Sequence, residues 1–293
     1  MIITEINGGL GNQMFQYACG RALAHKNKER LYIDTQSLIN AKTTAEFTAR
    51  PYELGIFNLQ AEEMSPALRS RFFPKAIPLK VLYKWILNYK IYTEPAFYFN
   101  KEIFEVKGNV FLRGYWQTEK YFKAAEDIIR KDFAFEKKKN AETLALADRM
   151  QHTNAVSLHV RRGDYVSSPS ANSFHGLAGL EYYRKAIALI KEKTTDPFFY
   201  IFSDDAAWAE EHLAKGNSNT LVVKHNTGED SWQDMYLMSI CDHHIIANSS
   251  FSWWGAWLNN KENKIVIAPK IWFADEKMNN QTGDLKPAGW LEL

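Results

Sequence analysis

Short unbroken runs of branched and aromatic residues alternate along this chain with longer stretches in which apolar residues return every third or fourth position. The first pattern belongs to strands covered on both faces, the second to helices with one buried stripe. At the amino end they predict strand Ile2 to Ile6, glycine loop Asn7 to Asn12, helix Gln13 to Lys26 and strand Arg30 to Asp34. Phe15, Ala18, Cys19, Ala22 and Leu23 fall on one face of that helix, and Ala18 and Gly20 are small enough for it to lie close to a sheet. This is a βαβ beginning.

From Thr35 to Gln151 the pattern is mixed, aromatic and basic, and broken by Pro66, Pro74, Pro78 and Pro95. Strand Asn109 to Leu112 and helices Glu119 to Lys131 and Ala141 to Met150 stand out, and a boundary is placed between Gln151 and Asn154. Beyond it the alternation becomes regular. Strands are predicted at Ala155 to Val160, Phe198 to Phe202, Leu221 to Lys224, His244 to Ala247 and Lys264 to Ala268. Helices are predicted at Leu180 to Lys193, Ala206 to Lys215, Trp232 to Ile240 and Ser252 to Asn259. The expected organisation is two parallel α/β domains, 1–153 and 154–293, with the last residues packing back on the first. No internal repeat or low-complexity tract interrupts it.

The length of 293 residues, with 46% hydrophobic and 24% charged, suits that division at about 150 residues per domain. A formal charge of +2 is too small for an electrostatic hold on nucleic acid or an anionic membrane, so neither is an expected partner and any anion is bound by a local cluster. Cys19 and Cys241 sit among apolar residues and read as reduced core thiols of a cytoplasmic protein. The amino terminus shows no basic stretch followed by an apolar one, and no run is long enough to span a bilayer, so the chain reads as unprocessed.

Polar chemistry gathers at the carboxyl ends of the second domain's strands, where open parallel sheets bind ligands. The first strand delivers His159-Val160-Arg161-Arg162-Gly163-Asp164-Tyr165: a fork of donors suited to phosphate, a glycine allowing close backbone approach, and a carboxylate. The next delivers Ser203-Asp204-Asp205, and a third Asn248-Ser249-Ser250-Phe251-Ser252 at a helix start. Each also has a plain structural reading: local ion pairs for the arginines, helix capping for Asp204 and the serines. Three ends pointing one way favour a nucleotide.

The loop Gly8-Gly9-Leu10-Gly11 invites a dinucleotide reading, with Asp34 placed as a ribose-binding acid. That reading fails where the third glycine would stand, because Met14 is there. A glycine turn needed for its backbone angles, or a ligand site formed by Gly9, Gly11 and the Asn12 amide, remains. His243 and His244 cannot readily share a metal, since neighbours in a strand point to opposite faces, and no paired-carboxylate motif for a divalent ion appears. Phe251, Trp253, Trp254 and Trp257 read as core, with one ring left open as a sugar platform.

Taken together, five motifs in order resemble the family 11 glycosyltransferases, the α-1,2-fucosyltransferases of bacteria and animals. They are Gly8 to Ala18, Gly114-Tyr115-Trp116-Gln117, His159 to Tyr165, Phe202-Ser203-Asp204-Asp205 with Trp208, and Asn248 to Trp254. The resemblance implies a GT-B fold, two Rossmann-like domains facing across a cleft, with GDP-fucose held mainly by the carboxyl-terminal one and the acceptor by the other. It implies inverting transfer of L-fucose from GDP-β-L-fucose to the 2-hydroxyl of a terminal galactose, with no metal and no other cofactor. A lipid-linked acceptor would bring loose membrane association. Gly9, Gly11 and Asn12 are then donor-binding, His159 and Asp204 address guanosine, and Ser249, Ser250 and Ser252 the diphosphate. Arg161 stabilises the leaving group. Asp164 is either the general base or a brace for Arg161, and Glu5 ranks below it. The rival readings are a GT-B enzyme with another nucleotide sugar and a non-catalytic sugar-binding protein.

Overall fold

The amino-terminal strand, glycine loop and helix expected from the sequence are all present in the computed structural model, which describes residues 1–44, 48–76, 82–83, 86, 88–163, 176 and 178–293. One unit holds Met1–Thr44, Ala49–Glu136 and Gly283–Leu285, the other Lys137–Thr282 and Lys286–Leu293. In the first, β1 (Ile2–Glu5), β2 (Leu31–Asp34), β3 (Glu62–Glu63), β4 (Tyr89–Thr93) and β5 (Asn109–Arg113) form a parallel sheet in the order β3-β2-β1-β5-β4.

The Leu10–Asn27 helix lies on this sheet, and a side chain at Gly20 would stand only 3.0 Å from Leu31 and 3.1 Å from Thr4. Close approach is therefore the reason for that glycine. The helix is buried beyond its apolar stripe, since Gln13 and Gln16 are fully covered along with Met14 and Tyr17. Asp34, placed by the sequence where a ribose acid would sit, is buried and paired with Arg69 at 3.1 Å. It braces the sheet.

In the second unit, β6 (Asn154–Val160), β7 (Pro197–Ser203), β8 (Thr220–Val223), β9 (His243–Ile245), β10 (Val266–Ala268) and β11 (Leu291–Glu292) are again parallel, in the order β11-β10-β9-β6-β7-β8. The chain builds outward from β6 to β8, then returns to build outward from β9. That is the doubly wound Rossmann order, and its reversal lies between β6 and β9.

Alternation along β6 and β7 explains why both faces are covered. Val156, Leu158, Val160, Phe199 and Ile201 pack against Tyr183, Ala186 and Ile190 of the Leu180–Lys193 helix. Ala155, Tyr200 and Phe202 turn the other way, toward Leu237, Met238 and Cys241. Burial of each large apolar side chain contributes roughly 1.5–3 kcal/mol. Both cysteines are free and buried, and burial pushes their thiols up.

The division between units falls at Glu136–Lys137, ahead of the boundary expected near residue 153. Ala147 and Met150 of the Ala141–Gln151 helix join the core with Tyr200 and Phe202, so this helix belongs to the second sheet. At the carboxyl end only Gly283–Leu285 belongs to the first unit, where the Phe99 amide donates to Asp284 at 3.0 Å. The final residues instead supply β11 to the second sheet. No helix among the described residues is long and apolar enough to cross a membrane.

Candidate functional site

The reversal between β6 and β9 puts three chain exits of the second unit side by side. Val160 is in register with Ser203, so the next residues, Arg161 and Asp204, leave the sheet as neighbours. The Arg161 guanidinium meets the Asp204 carboxylate at 2.8 Å, with both side chains about a quarter exposed, 25% and 24%. The other Asp204 oxygen accepts from the Arg162 backbone amide at 2.7 Å. One carboxylate thus fixes both the side chain of Arg161 and the path of the turn. Gly163 fits the same constraint, because a Cβ there would lie 2.9 Å from Asp204 Oδ2.

The two arginines are not equivalent. Arg162 lies with its guanidinium carbon 4.3 Å from the centre of the Trp208 ring and its Nε 3.3 Å from Asp205. Asp205 also caps the following helix by accepting from the Trp208 amide at 3.1 Å. Arg162 is laid down as packing, and Arg161 is the one held at the strand end beside a carboxylate.

His159 is buried, with its ring 5.8 Å from that of Phe251. Burial lowers its pKa to about 4, Asp204 opposing and Arg161 reinforcing the shift. The imidazole is neutral at pH 7, and its Nδ1 has no hydrogen-bond partner among the described residues. His244 is also buried and held well below its ordinary value, but it is a strut: its two nitrogens lie 2.8 Å from Ser157 Oγ and 2.8 Å from Asn259 Nδ2. His243 points away and accepts from the Ile265 amide at 3.1 Å. The neighbouring histidines serve opposite faces, as strand alternation requires.

An acid-stability prediction follows from the two buried rings. A folded histidine held below the unfolded value of about 6.5 binds fewer protons than the unfolded chain, so stability falls as pH drops from about 6.5 toward 4. For His159 alone this makes the protein about 2 kcal/mol less stable at pH 5 than at pH 7. Urea unfolding at both values, with His159→Gln for comparison, measures it. A wild-type midpoint equal at the two values would contradict the neutral burial of these rings.

At the third exit the Ser250–Leu258 helix begins. Ser249 is its N-cap, accepting from the Phe251 amide at 3.3 Å, and Ser250 opens the helix. Ser252 is 1% exposed and directs its hydroxyl to the Ser249 carbonyl at 3.3 Å, which sets it apart from the two serines at the helix mouth. Asn248, not singled out from the sequence as more than part of the motif, pins the turn by donating to the carbonyls of Gly176 at 3.2 Å and Trp272 at 3.1 Å. Trp253, Trp254 and Trp257 are core.

In the first unit the corresponding reversal lies between β1 and β5, where the glycine loop and the Gly114–Gln117 segment emerge. Gly8 has φ +72°, and a Cβ on it would come within 2.7 Å of the Asn12 amide nitrogen. Gly9 caps the helix in extended conformation, Gly11 lies buried in its first turn, and Asn12 accepts from Gln117 Nε2 at 2.8 Å. The loop is laced from beneath. Gln13 donates to the carbonyls of Gly8 and Pro51, both at 2.8 Å, and accepts from the Glu53 amide at 2.9 Å, while Gln16 accepts from the Asn7 amide at 2.9 Å. Only their covered position gives these glutamines away, and the sequence carries no signal for it. Glu5 is committed to Arg113 at 3.0 Å and to the Ser37 hydroxyl at 2.7 Å. Asp164 lies outside the described residues.

The sequence model of glycosyl transferase family 11 matches residues 1–293. The chain belongs to glycosyltransferase family 11. It is 36% identical to an alpha-1,2-colitosyltransferase of Escherichia coli, over 100% of this chain and 99% of that protein. It is 23% identical to galactoside alpha-(1,2)-fucosyltransferase 1 of Ateles belzebuth, over 86% of this chain and 63% of that one. Among solved structures, a point mutant of Arabidopsis thaliana FUT1 in complex with GDP is similar, with a TM-score of 0.51 at 12% identity, covering 88% of this chain and 68% of that one. That likeness concerns the fold, which in this family 11 glycosyltransferase is α/β of GT-B type, with two Rossmann-like units and two parallel sheets.

Proposed function

We propose that this glycosyltransferase moves L-fucose from GDP-β-L-fucose to the 2-hydroxyl of a terminal galactose, inverting the anomeric centre and without a metal ion. The observation that carries the reading is Arg161, held by Asp204 at the reversal of a Rossmann sheet beside the N-terminus of the Ser250–Leu258 helix. In such a transfer the bond between the sugar and the diphosphate breaks, its electron pair goes to a β-phosphate oxygen, and the acceptor oxygen bonds to the anomeric carbon as its proton passes to a general base. Charge grows on the diphosphate, so a fixed guanidinium next to it lowers the barrier. Ser249 and Ser250 at the helix start suit the phosphates, and neutral His159 offers the guanosine one donor and one acceptor.

The similarity to a colitosyltransferase favours a second donor, GDP-colitose. Colitose is fucose with one ring hydroxyl missing, so the same leaving group and the same anomeric chemistry serve both. Initial rates with the two donors, a β-galactoside acceptor and excess EDTA, followed by linkage analysis of the product, decide between them. The expected result is an α-1,2-fucosylated galactoside, undiminished by the chelator, and stabilisation against heat by GDP but not UDP. Faster colitosyl transfer would replace the donor, a requirement for metal would remove the metal-free claim, and stabilisation by UDP alone would remove both donors.

A further inference from the structure

Glu94 follows directly on β4, at the carboxyl rim of the first sheet, and its side chain does not face open solvent alone. Its Oε2 accepts from the Tyr115 amide at 2.7 Å and its Oε1 from the Trp116 amide at 3.0 Å. Gly114 makes this grip feasible, since a Cβ there would stand 2.4 Å from the Glu94 Cβ. Trp116 is buried at φ +57°, stacked on Tyr92 and edge-on to Tyr121, so the segment is anchored on its inner side. Tyr115 on the outer side is 39% exposed, with its ring 6.0 Å from that of Phe97 and inclined by 27°. Burial raises the pKa of the Tyr115 hydroxyl, and the charges of Glu5 and Glu94 raise it further.

A partly exposed aromatic ring on a residue whose backbone amide is held by a carboxylate suits a pyranose: apolar CH groups lie on the ring and hydroxyls donate to the carboxylate. Each Glu94 oxygen has one amide and keeps a second acceptor position. We propose that Tyr115 and Glu94 form the acceptor-sugar subsite of the first unit, the Tyr115 ring taking the CH face of the terminal galactose and Glu94 accepting from its hydroxyls. The identity of that sugar rests on the function proposed above; the subsite rests on the geometry.

Burial raises Glu94 to about 7, against the two amides. Glu5 and its partner Arg113 lie on β1 and β5 of the same sheet, and the Tyr115 and Tyr121 hydroxyls and the buried Cys19 thiol remain neutral near pH 7. The carboxylate therefore gains charge as pH rises through about 7, and acceptor binding strengthens in that direction.

The test compares wild type, Tyr115→Ala, Tyr115→Phe and Glu94→Gln. In Tyr115→Ala the acceptor KM should rise at least tenfold with donor KM within twofold, and Tyr115→Phe, which keeps the ring, should restore it. In Glu94→Gln the rise of acceptor kcat/KM between pH 6 and 8 should flatten. An unchanged acceptor KM in Tyr115→Ala, or acceptor and donor KM rising together, overturns the proposal. Saturation-transfer NMR with methyl β-galactoside reads the contact with no donor present. Signal in wild type that is lost in Tyr115→Ala, in a protein that uses neither GDP-sugar, would keep the subsite and discard the donor; no signal, or equal signal, would discard the subsite.

Discussion

Replacing Arg161 by lysine is expected to lower turnover by about tenfold to hundredfold at saturating donor and acceptor, the kinetic equivalent of roughly 1.5–3 kcal/mol for one charge-assisted hydrogen bond. Lysine keeps the charge but loses the planar fork. Arginine can hold Asp204 with one nitrogen, at 2.8 Å, and still present others to a phosphate in a fixed plane. An ammonium drawn to the same carboxylate has no second rigid arm, so the charge is present but not directed at the departing oxygen. The effect should fall on kcat more than on donor KM, because it concerns charge that develops as the bond breaks. Steady-state kinetics of Arg161→Lys with GDP-fucose measures both, and wild-type turnover would remove Arg161 from this role. The side chain is a quarter exposed, so a change in thermal stability should be small.

The second sheet was the more legible half because its strands are continuous apolar runs between helices with clear periodicity. Leu180–Lys193 and Trp232–Ile240 match the expected helices end for end. What escaped was short or wet. β3 is Glu62–Glu63 and β11 is Leu291–Glu292, both exposed edge strands, and β4 has only half-buried and exposed positions, with Lys90 and Ile91 exposed in succession. Such strands are defined by the neighbours that pair with them, and no local pattern marks them. The helix expected at Glu119–Lys131 is in fact two short 3₁₀ turns, at Glu119–Tyr121 and Lys123–Ala125, followed by Glu126–Asp132.

At the site the strand ends were legible, and the division of labour among their residues was not. Asp204 could be read as a helix cap, yet the cap is Asp205, and Asp204 turns back to the β6 exit. One residue separates the two roles, in a turn where direction depends on strand register and not on residue type. The same holds for Arg161 and Arg162, which differ by whether Trp208 lies beneath them. Glu94 offered no signal at all, since only the pairing of β4 with β5 brings it to Tyr115.

Asp204→Asn separates two readings of that carboxylate. If its main work is to hold Arg161 and the Arg162 amide, the substitution leaves one acceptor oxygen for the amide and turns an N–H toward the guanidinium, or the reverse. Either way one of the bonds at 2.8 Å and 2.7 Å is lost, and turnover should fall by at least about tenfold. In the double variant with Arg161→Lys the losses should then not multiply, because the second change removes an arrangement the first has already broken, with a coupling on the order of 1–3 kcal/mol. If Asp204 instead contacts the guanosine directly, as the family resemblance implies, its loss would appear mainly as weaker GDP binding, and the effects of the two substitutions would multiply. Kinetics of the four proteins, with GDP affinity by calorimetry, distinguishes a brace from a nucleotide contact. Full multiplicativity with unchanged turnover per bound donor would place Asp204 on the nucleotide and leave Arg161 to be positioned by the strand end itself.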